Sequence, residues 1–150
     1  MELRKFIERT AATGILGVKI TQNGEDMGKH LWDEECRRNI YSASKSFTSA
    51  AVGIAVKEGL LRLEERLVDA FSEDIPENPN EFLQQATVRD LLTMCLGQQN
   101  AELMGGQRPF YQQKDWVRMS LAFPFTECPG KRFLYNNVGP YLAGILGQRR

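Results

Sequence analysis

The chain has 150 residues, 42% of them apolar and 25% charged, enough to build one packed core and too apolar for a disordered segment. Nineteen basic residues balance nineteen acidic ones without clustering. That pattern excludes a basic stripe for nucleic acid and a polybasic membrane patch.

No apolar run approaches the roughly 20 residues that cross a bilayer. The opening stretch MELRKFIERT mixes charges and has no apolar leader segment. Cys36, Cys95 and Cys128 are few, odd in number and far apart, with no CxxC pair and a single histidine, His30. Such usage fits a reducing compartment and argues against a metal site. The expectation is a cytoplasmic protein with no metal, no cofactor, no nucleic-acid partner and no membrane partner. Nothing in the sequence decides for or against self-association.

Leu3, Phe6 and Ile7 recur at helical spacing over residues 2–12, and Gly14 ends the pattern. Residues 14–20, GILGVKI, read as a strand. A turn around Asn23-Gly24 joins them to a second strand over residues 28–32, and residues 33–39 form a loop. Residues 42–58 are the clearest helix. Phe47, Ala50, Ala51, Ile54 and Ala55 fall on one face, Val52 and Val56 widen it, and Gly59 follows as the stop. So many small and apolar positions predict a helix buried on several sides.

The apolar pattern continues over residues 60–71 until Pro76 and Pro79 interrupt it. Residues 87–96 read as a short helix with Thr87 as cap and Asp90 three positions on, a variant capping box. Residues 98–113 are Gln- and Gly-rich and read as a long loop, either over a site or plainly on the surface. A short helix over 115–123 and a last one from about Gly139 complete the chain. Two strands are too few for a sheet that stands alone.

Two short patterns could carry chemistry. Ser42-Ala43-Ser44-Lys45 is the only S-x-x-K in the chain. Unpaired amides at a helix start favour negative charge developing on the serine oxygen, and a lysine one turn on can reach that oxygen. Burial of that lysine would free its amine to accept a proton. With 6 serines and 7 lysines, chance supplies about 0.3 such spacings, so Ser42 as a plain cap and Lys45 as a solvated residue stays open. The other pattern is Tyr135-Asn136-Asn137, the only Y-x-N. It could present a phenol for proton transfer and an amide for a substrate carbonyl. Equally, Tyr135 could belong to the core and Asn137 cap the last helix. A Ser-His-Asp arrangement would need His30, which lies in the presumed second strand, and no G-x-S-x-G is present.

In this order the two patterns resemble the class C β-lactamase and DD-peptidase-like serine hydrolases, a family that includes family VIII-type esterases. GILGVKI resembles their first strand, and IYSASKSFTSAAVGIAVKEGLLRLEERL the nucleophile helix and the helix after it. TVRDLLTMCLG resembles the T-x-x-x-L-L-T-x-x-x-G segment, and PFTECPGKRFLYNNVGPYLAGIL the stretch around Y-x-N. The resemblance implies an α+β, β-lactamase/transpeptidase-like fold, here its mostly helical part with the first two strands of an incomplete antiparallel sheet. Residues 1–150 would be the N-terminal part of a single domain.

It also implies acyl-enzyme chemistry on a small-molecule or peptide ester, amide or β-lactam. Ser42 would be nucleophile, Lys45 base, Tyr135 acid/base, and Asn137 would bind substrate. The family's third motif, K-T-G or H-x-G, has no match. A truncated or non-catalytic scaffold is therefore the alternative expectation.

Overall fold

A computed structural model describes residues 3–150, and by internal contacts the chain divides into two units, Met1–Ile40 and Tyr41–Arg150. Residue 2, at the start of the expected first helix, lies outside the described residues.

In the first unit, helix α1 (Arg4–Thr10) precedes the antiparallel pair β1 (Gly17–Gln22) and β2 (Glu25–Leu31). Asn23 and Gly24 both adopt positive φ (52° and 83°), the two-residue turn whose twist suits a hairpin. Pairing therefore resumes at once, Gln22 opposite Glu25, and β2 begins three residues before the expected Gly28. Glu25 and Asp26 are poor strand formers by composition. Here Lys19 Nζ lies 3.0 Å from the Asp26 carboxylate, which neutralises the charge across the pair. β1 in turn starts at Gly17, because Gly14 is still in the turn at φ 78°. His30 lies in β2 with its ring edge-on to Trp32, a structural contact.

In the second unit, one 3-10 turn (Tyr41–Ala43) leads into α2 (Ser44–Lys57). The helix ends in a Schellman arrangement: Leu60 N–H donates to Ala55 O, Gly59 N–H donates to Val56 O, and Gly59 takes φ 75°. The expected continuation over 60–71 is mostly irregular chain ending in the short α3 (Leu67–Ala70). Leu61 and Leu67 serve as separate anchors, both almost fully buried. Then come α4 (Glu81–Gln85), α5 (Val88–Thr93), a 3-10 turn (Arg108–Phe110), α6 (Trp116–Ala122) and α7 (Val138–Arg149).

The core gathers on α7. Val138, Leu142, Ala143 and Leu146 are buried among Leu91 of α5 and Val52 and Ala55 of α2. The expectation that α2 is buried on several sides is not met. Only Val52 and Ala55 are buried, while Phe47 is 68% and Ile54 58% exposed. A hydrophobic stripe reports which face is apolar, not whether anything lies against it. Between α2 and α7 this leaves an open groove of about 380 Å³, floored by Ala51, Ala143, Gly144 and Gly147. No helix among the described residues is long and apolar enough to cross a membrane.

Candidate active site

Ser42 sits in the 3-10 turn just ahead of α2, and the residue before it, Tyr41, is held at φ 44°. A left-handed conformation is unusual for an aromatic residue and re-aims the chain entering the helix. The cap position of α2 is Ala43, with no side-chain cap, so Ser42 is not spent on capping the helix. Its exposed Oγ instead accepts a hydrogen bond from Lys45 Nζ at 2.8 Å. The helix turn makes this contact, since residues three apart share a face.

From the far end of the sequence, Tyr135 joins this pair. Lys45 Nζ lies 5.1 Å from the Tyr135 ring centroid. Hydrogen bonding from Ser42, then from Lys45, together with the lysine's charge, holds the phenol below the ordinary tyrosine range despite some desolvation. Tyr135 is 40% exposed and so is not the core residue that a structural reading would make it. Lys45 is half-buried and Ser42 exposed. The buried setting expected around the lysine is therefore not formed by the described residues. The three groups face an open surface.

Neighbouring backbone fixes the Y-x-N segment. Leu134 N–H donates to Met94 O at 2.9 Å, and Gly130 N–H donates to Cys95 O at 2.8 Å, tying the strap to the end of α5. At the head of α5 the capping box is formed as expected. Thr87 donates through its amide (2.9 Å) and its hydroxyl (2.7 Å) to Asp90 Oδ2.

The cap of α7 is supplied by Asn136, not Asn137. Buried Asn136 accepts from Gly139 N–H at 3.0 Å and donates to Leu134 O at 2.9 Å, clasping both sides of the turn. Its N-x-x-G spacing ahead of an apolar helix was the signal that could have singled it out. Asn137 is thereby released. Its Nδ2 donates to Leu103 O at 2.9 Å and lies 3.7 Å from the Met104 sulfur, while its backbone N–H donates to Glu102 O at 3.1 Å. So the structure brings Ser42, Lys45 and Tyr135 together and attaches Asn137 to the segment over 98–113. That segment is no plain surface loop, for Gln98 and Leu103 in it are buried. Among the described residues no group of three or more His, Cys, Asp or Glu side chains could hold a metal ion.

Two solved structures share this fold. One is described as "putative beta-lactamase" from Bacteroides dorei DSM 17855, with a TM-score of 0.73 at 18% identity over 97% of this chain and 45% of that one. The other is a D-amino acid amidase from Ochrobactrum anthropi SV3 complexed with L-phenylalanine, with a TM-score of 0.66 at 22% identity over 98% of this chain and 44% of that one. The chain thus spans less than half the length of either structure. No curated protein sequence matches it significantly. Its fold is β-lactamase-like and α+β, with seven helices and one two-stranded antiparallel sheet among the described residues. The sequence profile of the beta-lactamase family matches residues 3–149, and the chain belongs to that family.

Proposed function

We propose that this chain carries the nucleophile side of a serine hydrolase that works through an acyl-enzyme. One observation supports it above the others: Lys45 Nζ stands 2.8 Å from Ser42 Oγ and 5.1 Å from the centroid of the Tyr135 ring. In this reading Ser42 Oγ attacks the substrate carbonyl and its proton passes to Lys45 or to the Tyr135 phenolate. The Ser42 amide, close to the N-terminal end of α2, donates to the resulting oxyanion. Tyr135 returns a proton to the leaving group, and water then releases the acyl group from Ser42. Asn137 would bind the substrate carbonyl with its side-chain amide. Met104 sulfur is a weak acceptor, and a carbonyl oxygen would replace it readily. The fold relatives are described as an amidase and a beta-lactamase, which keeps amides and lactams beside esters in the substrate class.

A second reading is a scaffold that binds without turnover. The open surface at Ser42 favours it. Intact mass spectrometry separates the two. Exposure to a fluorophosphonate or a β-lactam should add one adduct, and Ser42→Ala should abolish it. A wild-type protein that never gains mass, even joined to the remainder of a family-length domain, ends the hydrolase reading.

A further inference from the structure

Segment 98–113 contains a strained and buried point. Leu103 is 2% exposed and takes φ 58°, a left-handed conformation that costs a side-chain-bearing residue of order 1–2 kcal/mol. Such a conformation persists only where its surroundings hold it, and here both of its peptide groups are held. Leu103 N–H donates to Tyr111 Oη at 3.2 Å, and Leu103 O accepts from Asn137 Nδ2 at 2.9 Å and from Arg108 Nε at 3.3 Å. The Tyr111 hydroxyl donates in turn to the Glu102 carboxylate at 2.7 Å, with Gln107 Oε1 at 3.3 Å. Glu102 O accepts from the Asn137 amide. The Tyr111 ring is fixed edge-on to Trp116, at 6.1 Å between centroids.

We propose that Tyr111 is a positioning residue for Asn137: its hydroxyl locks the Glu102–Leu103 turn, whose carbonyls hold the Asn137 backbone N–H and its side-chain amide in turn. The inference rests on the reading of Asn137 as a substrate-binding group. A half-buried hydroxyl that accepts from a backbone N–H and donates to a carboxylate has few geometries open to it. Burial and then the adjacent Glu102 raise the Tyr111 phenol above its ordinary value, so it stays protonated and keeps donating.

Tyr111→Phe keeps the ring and removes the hydroxyl's contacts with Leu103, Glu102 and Gln107. The side-chain amide pair of Asn137, identified in a ¹⁵N–¹H spectrum by its loss in Asn137→Ala, should shift in Tyr111→Phe. It should stay in place in Phe110→Ala, where the exposed neighbour is removed. With a β-lactam, Tyr111→Phe should weaken binding about tenfold, the effect of one lost buried hydrogen bond, with the maximal acylation rate little changed. Fluorophosphonate labelling of Ser42, which needs no carbonyl-binding amide, should stay within about twofold. On an Asn137→Ala background the same substitution should have no further effect on lactam binding. An Asn137 amide pair unmoved by Tyr111→Phe, or effects that multiply in the double variant, would overturn the proposal. Glu102→Gln, which weakens the same lock while keeping its shape, gives the spectrum if Tyr111→Phe does not fold. A wild-type protein that reacts with neither reagent, even joined to the remainder of a family-length domain, ends the hydrolase reading alone, and the spectrum then decides the positioning role by itself.

Discussion

Gly139 in the first turn of α7 faces Leu91 of α5 so closely that a Cβ built on the glycine would stand 2.3 Å from the Leu91 carbonyl oxygen. The absence of a side chain sets how near the two helices lie. Their packing also fixes where Asn136, Asn137 and the Tyr135 strap emerge. The obstacle is backbone, which cannot swing aside as a flexible side chain would.

Gly139→Ala should therefore destabilise the fold by about 1–3 kcal/mol, the usual cost of overpacking a tight core. Urea unfolding followed by circular dichroism measures it. A midpoint equal to that of the wild type would show that α5 and α7 can separate without penalty.

Asp90 accepts two hydrogen bonds from Thr87, from its amide and its hydroxyl. Asp90→Ala should cost about 1–2 kcal/mol, with the Thr87 amide left without its acceptor. Thr87→Val, which removes only the hydroxyl, should cost less. The reverse order in denaturant midpoints would contradict the capping role.

Lys45→Arg tests whether the lysine accepts a proton or only donates a hydrogen bond. A guanidinium can still donate to Ser42 Oγ, yet it stays protonated throughout the working range. Fluorophosphonate labelling of Ser42 should fall by roughly 10²- to 10⁴-fold if proton acceptance matters. Labelling at the wild-type rate would assign the proton to another group.

Tyr135 sets the expected pH dependence. Its phenol is held low by Ser42 and Lys45, and only the phenolate can accept a proton. The labelling rate should accordingly rise with pH through an inflection below the ordinary tyrosine value of about 10. Ultraviolet titration reads the same group without any activity. Tyr135→Phe should remove the phenol that is held below the ordinary value. Ser42→Ala, which deletes the larger of the two influences, should move that phenol upward. An unchanged titration in Ser42→Ala would mean that the hydroxyl does not stabilise the phenolate.

What the sequence revealed was mostly local. The Ser42–Lys45 spacing, the Thr87–Asp90 box, the Asn23-Gly24 turn and the Gly59 stop each depend on residues within about one helical turn, where backbone geometry dictates the contact. The hidden features are those decided across the chain. Neighbouring Asn136 and Asn137 have the same chemistry, and only tertiary packing settles which one caps α7 and which reaches Leu103. Phe47 and Ile54 belong to the apolar stripe, but no pattern within α2 says whether that stripe is covered. The leucines over 60–71 mimic a helix, yet Leu61 and Leu67 reach the core from irregular chain while Leu60 stays 45% exposed. The inward pull of Leu103 depends on Tyr111 and on Asn137, and the latter is 34 positions away.

The three-residue separation of Ser42 and Lys45 also divides the site in time. That contact can form as soon as the first turn of α2 does, on the sub-microsecond scale of helix growth. Tyr135 must arrive from about 90 residues downstream, a closure that only the cooperative folding of the second unit supplies. A nascent or partly unfolded chain would hold its serine beside a lysine but without the Tyr135 phenol. The reactivity of Ser42 would then report the completion of folding, and a covalent probe of that serine would count native molecules.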